Sequence, residues 1–274
     1  MRKRLTERFP FLLPLRQWQR KRCFYLHMRL DGRRYASDTE AAPLGEEIFR
    51  SACPMYNEKT GFPMEYQQNK VFNLRLAARK LDGLLIRPGQ TFSFWHCVKN
   101  ADRETPYRDA LSFANGRLQP AYGGGLCQLS NLLCWLLLHT PLVLTERHGH
   151  SVKDFPEPES DAPMGVDAAV AEGWLDLKAS NPTEKTFQLC IGFTEREIIG
   201  SVRALPADGE RYEVYNRGLC YYRRDGQVFE RTDVVRQTFS GGVLQKQELL
   251  YRSSCRIAYR LPEGTIITEG ETNS

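Results

Sequence analysis

The amino-acid sequence predicts an α+β fold, with a cysteine-bearing buried helix packed on an antiparallel sheet and a β-rich C-terminal part. Three observations carry that prediction. Residues 129–138 are almost wholly apolar, and Leu129, Leu132, Leu133, Leu136 and Leu137 fall at the spacing of a core-facing helical stripe. Directly before them stands Tyr122-Gly123-Gly124-Gly125-Leu126-Cys127-Gln128, three glycines and then a thiol at the helix start. From Glu184 onward, short runs rich in Val, Ile, Tyr, Phe and Thr alternate with the turn signals Asp225-Gly226 and Gly241-Gly242.

The first 35 residues hold eleven Lys or Arg against Glu7 and Asp31, so this arm carries +9. With a total of +5, the remainder of the chain is at −4. The arm's apolar run, residues 9–15, is broken by Pro10 and Pro14, unlike a secretory signal. No segment reaches the roughly 18 apolar residues of a membrane span. No clean helical period runs through the arm either. Residues 1–60 are therefore read as a basic arm and lead-in. It packs on the protein's own acidic surface or touches an anionic membrane through residues 1–35, with Phe9, Phe11, Leu12, Leu13 and Trp18 as anchors. The expected location is cytoplasmic, peripheral to the inner membrane face where that contact is made. Nucleic acid is not an expected partner, because the basic charge is confined to the arm and no recognition motif accompanies it. The eight cysteines are scattered, with no C-x-x-C pair, which suits reduced thiols and argues against a structural zinc site.

A core domain is expected over residues 61–183 and a β-rich accessory region over 184–274. In the core, Val71, Leu74, Ala78 and Leu81 predict a helix over 67–81, stopped by Asp82-Gly83. Residues 84–86 and 91–94 read as strands around the Pro88-Gly89 turn, and Asn115-Gly116 reads as a hairpin turn. Thr140-Pro141 ends the cysteine helix. Residues 142–152 then read as one strand, whose period of two places Glu146, His148 and His150 on one face. Residues 167–171 and 174–180 read as a hairpin about Glu172-Gly173, in which Asp167 and Asp176 share a face.

These pieces make a candidate active site. Cys127 opens a helix, where unpaired N–H groups and the helix dipole favour a thiolate. His148 or His150 supplies a base, and Asp167 or Asp176 the acid that holds its tautomer. Backbone N–H groups around Gly123, Gly124, Gly125 and Gln128 would meet the oxyanion of an acyl transfer, with glycine letting the substrate approach. Glu146, Arg147 and Ser151 flank the histidines as supporting residues. The order Cys, His, acid is that of papain-like and transglutaminase-like cores. Two readings stand beside this one: histidines and acids with purely structural roles, and a metal held by Cys127, His148 and His150. Glycines before a cysteine suit an oxyanion site better than a metal cage, so no metal and no cofactor is expected.

The stretch Tyr122-Gly-Gly-Gly-Leu-Cys-Gln-Leu-Ser-Asn131, then Leu138-His-Thr-Pro-Leu142 and Glu146-Arg-His-Gly-His-Ser151, resembles the signature of the VanW family. Arg87-Pro-Gly-Gln-Thr-Phe-Ser-Phe94 matches its P-G-x-T-F-S-F element, and Gly165-Val-Asp-Ala168 its G-x-D-A element. Asp176-Leu177 and Asn181-Pro-Thr183 follow in order, so the resemblance runs over residues 60–185. It implies an association with bacterial cell-wall peptides and glycopeptide resistance. It also implies L,D-transpeptidase-like chemistry, in which a cysteine attacks a stem-peptide carbonyl and the acyl group passes to an amine. Carried over by residue, the resemblance puts the nucleophile at Cys127, the base at His150 rather than His148, and the orienting acid at Asp167. The implied partner is a peptidoglycan stem peptide or its precursor. Many members are exported, whereas this chain shows no export signal, which directs the expectation to cytoplasmic precursors. The alternative is a non-catalytic accessory protein binding such a precursor at the inner membrane face.

Overall fold

The computed structural model describes residues 10–114, 117–206 and 209–269. In chain order these hold α1 (Leu13–Leu30), β1 (Arg34–Tyr35), β2 (Glu46–Pro54), α2 (Met64–Ala78), β3 (Leu84–Ile86), β4 (Gln90–Ser93) and α3 (Phe94–Val98). The hairpin β5 (Asp109–Ala114) and β6 (Arg117–Tyr122) leads into α4 (Cys127–Leu138), followed by β7 (Val143–Glu146), β8 (Val152–Lys153) and β9 (Lys178–Ser180). The chain closes with β10 (Thr186–Phe193), β11 (Glu197–Leu205), β12 (Glu210–Arg224), β13 (Gln227–Ser240), β14 (Val243–Ile257) and β15 (Ile267–Glu269).

Helix α4 is the pivot. It carries apolar residues on every side, and Cys134 and Leu138 are buried together with the leucine stripe. A helix apolar all round must be enclosed. One wall is the antiparallel sheet β2-β11-β10-β3, whose Phe187, Leu189, Ile198 and Val202 are buried with it. Gly200 on β11 lets that wall close: a Cβ there would lie 2.7 Å from Leu136 Cδ1. Val71 and Leu74 of α2 complete the same cluster. The sequence reading assigned everything from Glu184 to an accessory sheet; β10 and β11 instead form the core wall, because α4 has apolar surface to cover on that side too.

A second sheet runs β1-β4-β9-β7. The third, β15-β12-β13-β14-β8, is a long meander turning at Asp225-Gly226 and Gly241-Gly242, all four with left-handed φ (50°, 72°, 57° and 78°) as two-residue hairpin turns require. The register between β12 and β13 shifts between Arg217 and Cys220, around Gly218, so sequence patterning shows two short runs where one strand exists. In the β5–β6 hairpin Ala114 opposes Arg117; the turn residues Asn115 and Gly116 lie outside the described residues, as do Phe9 and residues 270–274.

Four other elements differ from expectation. The arm forms a helix, α1, whose apolar residues fall on two faces and so leave no single stripe to read. Its neighbour α3 follows β4 immediately, capped by Ser93, whose Oγ accepts from His96 N–H at 3.1 Å. The expected strand over 142–152 breaks after Glu146 and resumes at Val152. Residues 167–171 form no strand, and the only bridge described there joins Ala171 to Leu175 rather than to Trp174. Without a strand over 167–170, whose Ala169 N–H goes instead to His148 O, Asp167 and Asp176 share no hairpin face.

Candidate active site

Glycine builds the approach to the thiol. Gly123 (φ 69°) and Gly125 (φ 87°) hold conformations that other residues resist. Gly124 passes so close to β5 that any Cβ would collide with Ala110 O, and one on Gly125 would strike the Lys70 side chain. Asn73 of α2 then clamps the loop: its Nδ2 donates to Gly124 O at 3.0 Å and to Arg108 O at 2.9 Å, while its Oδ1 accepts from Arg108 N–H at 2.8 Å. The loop delivers Cys127 at the first position of α4.

The Cys127 thiol donates to Val170 O at 3.7 Å and is coupled electrostatically to the His150 ring. The other side of that ring is held by Asp167: Nδ1 lies 2.7 Å from Oδ2, which also accepts the His150 backbone N–H at 2.6 Å. With Nδ1–H given to the carboxylate, Nε2 is left for the sulfur. Asp167 Oδ1 pairs with Arg147, whose Nε donates to Asp167 O at 2.7 Å and whose guanidinium stacks 3.8 Å over Tyr251 of β14. Side chains of Arg147 and Asp167 are only 10% and 9% exposed.

The electrostatics follow from this chain of contacts. Burial alone would raise the Cys127 thiol, but the bond and charge of His150 outweigh it and bring the thiol below its ordinary value. Burial likewise opposes charge on His150, and the bonds from Asp167 and Cys127 reverse it, lifting the imidazole to about 10. Asp167, despite burial, is held below the usual carboxylate range, chiefly by His150 and then Arg147. The two shifts act in the same sense, moving the pair toward imidazolium and thiolate. Burial pushes Cys97, Cys134 and Cys255 the other way, each to about 12.

The remaining candidates separate from this line. His148 turns to Glu146, its Nε2 lying 3.1 Å from Oε1, so the two histidines are not presented side by side. Glu146 also accepts from Asp176 N–H and pairs with Lys178 at 2.8 Å, tying β7 to β9. Asp176 is fully buried beneath α3, where it accepts from Ser93 Oγ at 2.6 Å and Trp95 N–H at 3.1 Å. It fastens a helix start and does not reach His150's ring. Ser151 is exposed, and its carbonyl accepts from Arg256 N–H. Gln128 spends its backbone N–H on Gly125 O and its side-chain Nε2 on Pro54 O at 2.6 Å, so it ties α4 to β2. Among the described residues, no cluster of three or more His, Cys, Asp or Glu side chains has metal-holding geometry.

A sequence model of the family described as VanW like protein matches residues 69–203. The chain is 50% identical over 270 residues to the vancomycin B-type resistance protein VanW of Enterococcus faecalis (strain ATCC 700802 / V583), covering 98% of each chain. This chain belongs to the VanW family. It is also 30% identical over 114 residues to the uncharacterized protein YoaR of Bacillus subtilis (strain 168), covering 42% of this chain and 36% of that one. No solved structure matches, so the likeness to papain-like and transglutaminase-like cores rests on chain order alone.

The VanW-family elements now acquire distinct physical roles. Arg87–Phe94 and Asn181–Thr183 fold on each other: Gly89 N–H donates to Asn181 O, Asn181 N–H to Gln90 O, and Asn181 Nδ2 to Ile86 O. Two residues inside the glycine–cysteine signature escaped functional reading. Ser130 Oγ donates to Ala168 O at 2.6 Å, and Asn131 Oδ1 accepts from Ala168 N–H at 2.8 Å. One turn of α4 thus grips both polar groups of the residue after Asp167, locking acid and thiol into register. Their signal was a polar pair inside an apolar helix, which needs a buried partner.

Proposed function

We propose that this protein is a cysteine-dependent acyl-transfer enzyme acting on peptidoglycan stem peptides or their precursors, and that it serves vancomycin resistance as its E. faecalis relative is named to do. The observation that supports the reading is the line His150–Asp167–Arg147 with Cys127 coupled to His150, which lowers the thiol and raises the imidazole. In the reaction proposed, the Cys127 thiolate adds to a peptide carbonyl carbon, forming the S–C bond and an oxyanion. Collapse breaks the C–N bond, and His150 Nε2 gives its proton to the departing amine. An acceptor amine then attacks the thioester and returns a proton to His150 as the S–C bond breaks, restoring the thiolate. The expected oxyanion donors are in large part spent: Gly123 N–H goes to Arg108 O, Gly124 N–H to Ala121 O and Gln128 N–H to Gly125 O. An oxyanion would therefore be received by N–H groups between Gly125 and Cys127 at the start of α4.

The experiment is alkylation of the purified protein at neutral pH, with peptide mass spectrometry following all eight cysteines. Cys127 is expected to label faster than Cys134 and Cys190, and Cys127→Ala to lose peptide-transfer activity on stem-peptide substrates. Labelling of Cys127 no faster than Cys190, or full activity in Cys127→Ala, rejects the enzyme reading. Binding of a precursor that survives Cys127→Ala but weakens without the arm's charges would establish the accessory role instead.

A further inference from the structure

We propose that the outward face of α1 docks on an anionic lipid bilayer. Over its 18 residues α1 holds Arg16, Arg20, Lys21, Arg22 and Arg29 and no acidic residue. Burial divides it lengthwise. Lys21, Phe24, Tyr25 and Met28, spaced by three and four, seat the helix on the protein: Met28 is buried, and Phe24 packs against the core. Tyr25 donates to Glu172 Oε1 at 2.9 Å, and Lys21 pairs with the same carboxylate. The opposite side meets solvent. There Leu15, Trp18, Leu26 and Leu30 are 61%, 54%, 55% and 74% exposed. They recur by threes and fours about Arg22, whose guanidinium lies 4.6 Å over the Trp18 ring.

An apolar stripe edged by cations and free of carboxylates fits the boundary between acyl chains and phosphate headgroups. The leucines and tryptophan enter the acyl zone while the guanidinium groups remain among the phosphates. A second copy of the chain is a poor occupant, since two such faces would bring like charges together. Docking also has a geometric consequence. The inner side of α1 holds the turn from Ala171 to Leu175, with Gly173 against Lys21 and Arg20 5.5 Å over the Trp174 ring. That turn directly follows Val170, whose carbonyl faces the Cys127 thiol.

The test uses the full-length protein with vesicles of phosphatidylglycerol and phosphatidylcholine, and with vesicles of phosphatidylcholine alone, in flotation assays at low and high salt. Retention on the anionic vesicles alone is expected. Arg16→Gln combined with Arg29→Gln should weaken it about 30-fold. Trp18→Ser combined with Leu26→Ser should remove what persists at high salt. All four side chains are exposed, and unchanged melting and Cys127 alkylation confirm an intact fold in the variants. Equal binding to both vesicle types, binding to neither, or binding that survives all four substitutions overturns the proposal. So does a dimer in sedimentation that Trp18→Ser dissolves.

Discussion

Replacing Asp167 by Asn asks whether the buried acid orients a catalytic ring or merely neutralises an arginine. In the native site one carboxylate oxygen takes two bonds from His150 and the other pairs with Arg147. An amide offers one acceptor oxygen and turns its N–H2 toward either Arg147 or His150, so one buried donor must face another. Losing half of a pair this buried costs about 3 kcal/mol, at the low end for a broken buried ion pair. For a chain of this size that lowers Tm by about 6–12 °C. The chemical effect is separate. Without a counter-charge on Nδ1, His150 no longer supports the thiolate, and alkylation of Cys127 should slow about 100-fold, the lower bound of acid–base contributions. Both quantities come from one preparation: melting by circular dichroism, and iodoacetamide labelling resolved by mass spectrometry with exposed Cys23 as internal reference. A variant that melts early yet labels Cys127 within about twofold of wild type would refute the orienting role and leave only the ion pair.

Asp176→Asn should behave in the opposite way, leaving Cys127 labelling unchanged. Burial lifts Asp176 to about 6, so its folded form holds a proton that the unfolded chain releases near 4. Wild-type stability should therefore fall as pH rises from about 4 to 6, and the variant should lack that slope in melts across the range. His150, lifted to about 10, contributes stability that is complete below about pH 6.5 and disappears as pH rises through 10. The Tm difference between wild type and His150→Gln should shrink over that interval. Gly124→Ala forces a Cβ onto the Ala110 carbonyl, a backbone atom, and should cost about 3 kcal/mol or more, seen as loss of soluble protein or a large fall in Tm.

The place of Cys127 at a helix start was legible in the sequence, because three glycines and then a thiol before an apolar run are strong local signals. The alternating pattern set His148 and His150 on one face of a strand that in fact ends at Glu146, and only the family resemblance separated them. Choosing between the acids was no more legible. On period alone Asp167 and Asp176 shared a hairpin face, but residues 167–170 form no strand and pair through Ala169 N–H with His148 O instead. Local pattern does not show which distant segment a short run will pair with. The position of α2 was read to within three residues, since a single stripe faces one core. Helix α1 was invisible for the converse reason: Phe24, Tyr25 and Met28 serve the fold while its other large apolar residues face outward. Strands β10 and β11 read correctly as strands, yet only the three-dimensional need of α4 for a second wall reveals them as core.

Stacking of Arg147 on Tyr251 alters how the chain can be divided. The family match ends at residue 203 and contains every member of the line from Cys127 to Arg147. Tyr251 lies beyond it, as does Thr232, whose methyl lies 2.5 Å from where a Cβ on Gly165 would fall. A transplant of residues 69–203 would carry Cys127, His150, Asp167 and Arg147 but strip the aromatic roof from a buried guanidinium, admitting water beside it. In this chain the stretch the family model covers and the stretch that encloses Arg147 have different boundaries.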